Sequence, residues 1–406
     1  MNVLGIITEY NPFHKGHAYH IAKARELTGA DCVIAVMSGN FVQRGEPAVM
    51  DKYIRTRAAL SNGADIVIEL PVVSAVGSAQ YFAMGSIGIL NKMQAEYLCF
   101  GSEAGEIAPF HTAVHLLSTH ADEIDAHIHE LVKKGVSYPL ARSRAMEQTI
   151  TSTKISSFFN QPNNILGLEY CLEIKRQNAL ISPFTIKRTE NNYHDSELSG
   201  HFSSARAIRR AMNDGKNGFW DFLPENTHDC VKNYFNDYVP VFVNDFTDII
   251  RFQLTNIKYT GSYRNNELSK IADLPDFLLN KLLSNIENTS SVTELIESVK
   301  TKDLTYTRIS RALIHLLLGL TEKNYAALKE NPCPYIRILG FNETGQAYLS
   351  SIKKELTCPL IVKPADYKEY LTEDIYASNL YNLILSRKSG HKTINDYQHK
   401  IIKGLP

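Results

Sequence analysis

The sequence lacks net charge: 43 lysines and arginines balance 43 aspartates and glutamates over 406 residues. A whole-molecule field that draws in a polyanion is excluded, so a nucleic-acid partner has to be met by a local patch. Cysteine is scarce and shows no CxxC spacing. The six, Cys32, Cys99, Cys171, Cys230, Cys333 and Cys358, are scattered, several inside apolar runs such as DCVIAVM and YLCFG. That argues against a zinc knuckle and predicts buried free thiols in a reducing compartment. No apolar run is long enough to span a bilayer, and no basic and apolar leader precedes the first strand. A cytoplasmic protein without membrane contact is expected. Internal repeats and low-complexity tracts are also missing. Hydrophobic residues make up 44%, enough for sizeable cores, and the length exceeds one ordinary core, so two domains are expected.

What is present in the first hundred residues is a regular alternation. VLGII (Val3–Ile7) is an apolar, β-branched run of the kind that forms a strand buried on both faces. DCVIAVMSG (31–39), ADIVIELP (64–71) and AEYLCFGSE (95–103) repeat that pattern. Helices are expected from Ala18 onward, over 51–63 and near 79–93. Short apolar strands separated by helices imply right-handed crossovers and a parallel sheet. Ligands of such sheets lie beyond the carboxyl ends of the strands. From Ile107 to about Ile150 the pattern is helical; PFTIKR (183–188) reads as another strand, and SSARAIRRAM (203–212) as a short helix with Ser203 as N-cap. The glycines and acidic residues of 213–229 mark a boundary. The fold expected is therefore α/β: a Rossmann-like parallel-sheet domain over 1–212, then a mostly helical domain over 213–406. A small α/β element is expected around YIRILGF and PLIVKPAD.

TEYNPFHKGHAYHIAKA (8–24) is the most informative stretch. Asn11-Pro12 ends the first strand, Gly16 lets the backbone approach something closely, and a helix begins. Three histidines, His14, His17 and His20, follow at intervals of three. Three ligands so spaced on one helix drift around its axis and rarely reach one metal ion. Solvated turn histidines are the plain alternative. The third reading places His14 and His17 beside a triphosphate, because unpaired backbone N–H groups and the helix dipole make this turn an anion site.

FHKGH resembles the HIGH motif of nucleotidyltransferases and class I aminoacyl-tRNA synthetases. With GIITEYNPFHKGHAYHI, MSGNFVQRGEPAVMDK, GADIVIELP, PNNILGLEY and PYIRILGFNETG in this order, nearly the whole chain resembles the bacterial tRNA(Met) cytidine acetate ligase family. The resemblance implies an ATP-dependent ligase that forms acetyl-adenylate and acetylates N4 of the wobble cytidine of elongator tRNA(Met). Acetate and that tRNA are the partners it implies, with no obligate protein partner. It makes His14 and His17 catalytic. ATP would be wrapped by Ile7, Thr8, Glu9, Tyr10, Asn11, Pro12, Phe13, His14, Lys15, Gly16, His17 and His20, and met by Gly101, Asn163 or the adjacent Asn164, and Arg188.

SSARAIR is similar to the superfamily's second phosphate segment, S-S-T-x-I-R, with an extra residue and no threonine. Ser203, Ser204 and Arg206 or Arg209 would then meet pyrophosphate; a plain capped helix is the alternative. The glycine-punctuated loop 39–48 is longer than most connectors. It is expected to form an acetate or cytosine pocket from Asn40, Gln43 and Arg44, with Arg44 meeting a carboxylate. Lys52 and Arg55 would face phosphates or solvent. RNA binding is expected from Arg308 and Arg311 and from the basic tail with Arg387, Lys388, Lys392, Lys400 and Lys403. Magnesium is expected from the chemistry, without an identified ligand set. Two other functions stay open at this point: a small-molecule adenylyltransferase, and an RNA-binding protein whose nucleotide site is catalytically inactive.

Overall fold

A computed structural model describes residues 1–134, 136, 138–149, 161–188, 203–261 and 271–404. Ten strands form among them: β1 (Val3–Thr8), β2 (Cys32–Ser38), β3 (Phe41–Val42), β4 (Glu46–Pro47), β5 (Ile66–Leu70), β6 (Tyr97–Ser102), β7 (Ser182–Lys187), β8 (Ile336–Phe341), β9 (Leu360–Ile361) and β10 (Ile402–Lys403). The main sheet runs β10-β8-β5-β2-β1-β6-β7, with β9 paired to β8. The five strands β5, β2, β1, β6 and β7 are mutually parallel. Every residue of β2 and β5 is buried, as runs without polar alternation require.

The chain winds outward from β1 to β2 and β5, then crosses back to β6 and β7 on the other side of β1. The order reverses between β1 and β6, and a crevice opens there beyond the strand ends. The helix Lys15–Thr28 leaves β1 and stops at Gly29 in the left-handed conformation, φ 61°. Helices Ala79–Lys92 and Pro162–Arg176 pack together against the sheet. Helices Ala108–Thr119, Ala121–Lys133 and Tyr138–Thr149 fill the span expected to be helical, although residue 150 lies outside the described residues.

The described residues beyond 213 are mostly helical, as their composition suggested, and among them no strands form a sheet of their own. The expected element at YIRILGF is β8, and it joins the main sheet antiparallel to β5, with Ile68 opposite Ile338. β10 extends the same edge. A separate apolar core gathers Leu254, Leu278, Ile296, Leu313, Leu317 and Tyr381 from five helices. The loop after β2 is a hairpin, β3 antiparallel to β4. Its tip is pressed onto the helix Tyr306–Leu318, where Ser310 Oγ donates to the Gly45 carbonyl at 2.6 Å. A Cβ at Gly45 would lie 2.3 Å from the Arg311 nitrogen, and φ there is +73°, so only glycine fits. All six cysteines are free.

Candidate active site

The cleft at the switch point has a volume of about 290 Å³ and is walled by the carboxyl ends of β1, β6 and β7. Its turn begins at Tyr10, which has φ 48°, and continues through a cis Asn11-Pro12 bond. Asn11 Oδ1 accepts from the Val49 N–H at 2.9 Å, and its carbonyl accepts from Arg209 Nη1 at 2.8 Å. The turn is thus tied to the segment after the hairpin and to the helix Ala205–Asn213.

His14 is the N-cap of Lys15–Thr28. Its Nδ1 accepts from the Gly16 N–H at 3.1 Å, and the His14 N–H donates to His17 Nδ1 at 3.2 Å. The pair forms a reciprocal capping box built from imidazoles, in place of the usual hydroxyl and carboxylate. Gly16 makes room for it: a Cβ there would lie 2.9 Å from His14 Cε1. The close approach foreseen at Gly16 is therefore made by the His14 ring. The two rings stack at 3.7 Å.

A ring nitrogen that accepts carries no proton, so both neutral rings hold theirs on Nε2. This assignment follows from the hydrogen bonds. Burial, then Arg188 and Arg209, lower the His14 pKa to about 3. Burial, then the stacked His14, hold His17 well below its ordinary value. Burial, then Arg188, lower His20 to about 4. The turn thus presents neutral N–H donors to an anion. A stability effect follows. His14 and His20 take up protons near pH 6.5 when unfolded but only near pH 3 and 4 when folded, and His17 is shifted in the same direction, so their contribution is full above about pH 6.5 and declines as pH falls. Thermal midpoints should drop between pH 6.5 and 4.5 in wild type, and less in a His14→Gln, His20→Gln variant; equal drops would contradict the assignment.

Cations and hydroxyls surround the histidines. Arg188, after β7, crosses Gly101, where a Cβ would meet its Cγ at 3.3 Å. Arg209 reaches the turn and lies 3.9 Å from Glu46. The N-cap of Ala205–Asn213 is Ser204, whose Oγ accepts from the Ala207 N–H at 3.1 Å, and not Ser203 as expected. The reason is register: the helix begins one residue later than its composition suggested. Ser203 Oγ is buried without a partner among the described residues, as is Asn11 Nδ2. Both residues line the cleft, and a buried unpaired donor costs about 1–3 kcal/mol unless a ligand satisfies it.

On the β6 side, Asn163 lines the cleft and Asn164 does not. Asn163 Nδ2 donates to Glu103 Oε1 at 2.6 Å, which leaves its carbonyl oxygen and its second N–H as the groups a nucleotide would meet. Asn164 is buried and accepts from the Glu103 and Ala104 N–H groups. Gln43 and Arg44 of the hairpin line the cleft. The expected third member, Asn40, turns away: it is buried, and its Oδ1 caps Lys52 N at 2.9 Å.

Other expectations are corrected by burial. Ile7, Thr8, Glu9, Tyr10, Asn11, His14, Gly16, His17 and His20 line the cleft, whereas Pro12, Phe13 and Lys15 do not; Phe13 packs inward against Tyr10 at 4.7 Å. Lys52 and Arg55 face neither phosphate nor solvent. Lys52 is wholly buried on Glu69 and Asp396. The Arg55 guanidinium donates to the carbonyls of Met50, Glu9, Ser38 and Gly39, clamping the ends of β1 and β2 together. Arg311 is buried and paired to Asp273 at 3.1 Å, which leaves it no face for an RNA phosphate. Arg308 lies beside it, Lys388 binds Asp245 at 2.8 Å, and Lys392 is exposed; none of the four is at the cleft. The apolar wall of Phe82, Phe100, Leu166 and Tyr170 was not anticipated, since apolar residues on β6 and on helices read simply as core. Among the described residues no three His, Cys, Asp or Glu side chains are grouped to hold a metal, and no helix is long and apolar enough to cross a membrane.

Residues 1–396 match the family model described as HIGH Nucleotidyl Transferase. A Clostridium novyi protein named tRNA(Met) cytidine acetate ligase is 40% identical, over 97% of this chain and 98% of its own length. One of the same name from Bacillus velezensis is 38% identical, over 94% and 92%. Among solved structures, Thermotoga maritima TmcAL in its apo form superposes with a TM-score of 0.90 at 32% identity, covering 99% of both chains. The same protein bound with alpha-thio ATP gives 0.89.

Proposed function

Because the chain belongs to the HIGH nucleotidyl transferases and, within them, to the tRNA(Met) cytidine acetate ligase family, we propose that it activates acetate with ATP and acetylates N4 of the wobble cytidine of elongator tRNA(Met). The observation that carries this reading is the pair of neutral imidazoles whose Nε2–H groups share a cleft with Arg188, Arg209 and an unpartnered Ser203 hydroxyl. In the first half-reaction an acetate oxygen attacks the α-phosphorus, and pyrophosphate leaves with the electron pair of the broken P–O bond. Negative charge grows on the phosphate oxygens, and His14 and His17 donate to it without a proton changing hands. Arg188, Arg209, Ser203 and Ser204 hold the departing pyrophosphate. Arg44 holds the acetate carboxylate, with Gln43 beside it. Gly101 and the Asn163 carbonyl meet the nucleoside, and His20 backs the turn.

Glu9 is the one carboxylate among the described residues lining the cleft, too little for a resident magnesium site. Magnesium would arrive on the triphosphate as part of the substrate. The basic residues of 386–403, Lys392 among them, are proposed to meet the tRNA backbone, with residues 213–406 as the tRNA-binding domain. A tRNA substrate places the work in the cytoplasm. If phosphate contacts dominate that binding, the apparent tRNA affinity should fall steeply between 50 and 200 mM salt, by about tenfold or more for a few contacts. A salt-independent affinity would remove the tail from the interface.

The test is ATP–pyrophosphate exchange. Acetate-dependent exchange without RNA, followed by transfer of labelled acetate to unmodified elongator tRNA(Met), is the expected result. Exchange driven by a small nucleotide-like acceptor would point to a small-molecule adenylyltransferase. ATP binding without exchange would point to an inactive RNA-binding protein.

A further inference from the structure

The second half-reaction needs a proton acceptor. The cytidine N4 lone pair is delocalised into its ring, and the nitrogen becomes cationic and acidic as it attacks a carbonyl. Unless that proton leaves, the intermediate collapses back to acetyl-adenylate. Resting on the function proposed above, we propose that Glu9 is the catalytic base of the transfer step. The N4 lone pair forms the N–C bond, the carbonyl π pair moves to oxygen, and the N4 proton passes to Glu9 Oε2. The carbonyl then re-forms as the C–O bond to phosphate breaks, and AMP leaves with that electron pair.

The assignment follows from what each group in the cleft can do. His14 and His17 have both committed Nδ1 to backbone N–H groups and hold a proton on Nε2, so they donate and cannot accept. Burial raises the phenol pKa of Tyr10 and of Tyr170, which keeps them protonated. The arginines and Lys187 offer no lone pair while charged.

Glu9 is the remaining anionic acceptor, and it is fixed at two points. Its carbonyl accepts from Arg55 Nη1 at 2.7 Å, and its Oε1 accepts from the Gln43 N–H at 2.9 Å. That orients Oε2 at the end of β1, between the phosphate turn and the hairpin that carries Arg44. The acyl–phosphate bond is expected at that junction. His20 also has a buried ring nitrogen without a partner among the described residues. It feels Arg188, the guanidinium assigned above to the departing pyrophosphate.

The test separates the half-reactions in the full-length protein. A Glu9→Gln variant keeps an acceptor for the Gln43 N–H, so its fold should hold, which its thermal midpoint checks. Single-turnover transfer of labelled acetyl to unmodified tRNA is expected to fall about 10²–10⁴-fold, at least about tenfold further than acetate-dependent ATP–pyrophosphate exchange. Glu9→Asp, which keeps the carboxylate on a shorter arm, should recover part of the transfer rate.

Transfer within about threefold of wild type in Glu9→Gln would overturn the proposal. A parallel loss of exchange and transfer would overturn it too, placing Glu9 in the nucleotide site. Loss of transfer alone in His20→Gln, with Glu9→Gln unaffected, would hand the role to that imidazole. Wild-type protein that fails to exchange with acetate would instead defeat the ligase reading itself.

Discussion

A His17→Asn variant is expected to lose about 10²–10³-fold of acetate-dependent ATP–pyrophosphate exchange while its thermal midpoint barely moves. The His17 ring has two roles on opposite edges. Nδ1 accepts the His14 N–H at 3.2 Å and helps start the helix, while the opposite edge of this cleft-lining ring carries Nε2–H. An asparagine carbonyl reproduces the Nδ1 acceptor and leaves the cleft edge without its donor. His17→Ala removes both and should cost about 1 kcal/mol of helix capping besides the same rate loss. Loss of a donor that acts as charge develops lowers the exchange rate more than it weakens ATP binding. A variant weakened in ATP affinity but normal at saturation would make His17 a binding group only. Exchange rates over a range of ATP concentrations, with thermal melts of both variants, decide between these outcomes.

The second large effect concerns stability. At the end of β5, Glu69 accepts Lys52 Nζ at 2.7 Å and pairs with Arg337 at 2.9 Å; Asp396 pairs with both cations at 2.6 and 2.8 Å. All four side chains are at most 3% exposed. Two positive and two negative charges close on themselves, and the quartet joins the helix Lys52–Leu60, β5, β8 and the C-terminal tail. Removing one member strands a buried charge. Glu69→Ala should therefore cost about 3–5 kcal/mol, seen as a fall in the urea midpoint. Replacing a facing pair, Lys52→Met with Glu69→Gln, leaves Arg337 and Asp396 matched and should recover much of that loss. A single variant within about 1 kcal/mol of wild type would refute the buried-network account.

Acid should attack the same place. Asp396 is buried, but Lys52 and Arg337 beside it hold its pKa below the usual carboxylate range. Its folded pKa is depressed, so its contribution is present above the unfolded value of about 4 and is lost as pH falls below it.

Much of the parallel-sheet region was legible in the sequence, because parallel strands advertise themselves. VLGII, CVIAVMS and IVIEL are apolar on both faces, and only a strand covered on both sides uses such runs. The turn at 8–17 was legible for a similar reason, since the His14–Gly16 and His14–His17 caps lie within three positions. What escaped is long-range. β8 was visible as a strand, but its antiparallel place beside β5 depends on residues some 270 positions apart, and no local pattern encodes it. Lys52 and Arg55 on a helix read as surface charges or phosphate ligands. Their partners, among them Asp396 and the Ser38 carbonyl, are set by the tertiary fold alone. Arg311 departs from its expected role for the same reason, its carboxylate partner lying 38 residues away. Asn40, Gln43 and Arg44 read together as one polar loop, but Gln43 and Arg44 sit in the turn between β3 and β4 and reach the cleft, while Asn40 precedes β3 and is buried against Lys52 N.

The central claim is that the imidazoles of His14 and His17 are neutral, carry their protons on Nε2 and donate them to a nucleotide at the mouth of the sheet. Long-range ¹⁵N–¹H correlation of histidine-labelled protein at neutral pH, recorded before and after ATP is added, tests it directly. The account predicts two neutral rings in the Nε2–H form whose Nε2 signals shift when ATP binds. Imidazolium signals, the Nδ1–H tautomer, or Nε2 signals that ignore ATP would contradict it.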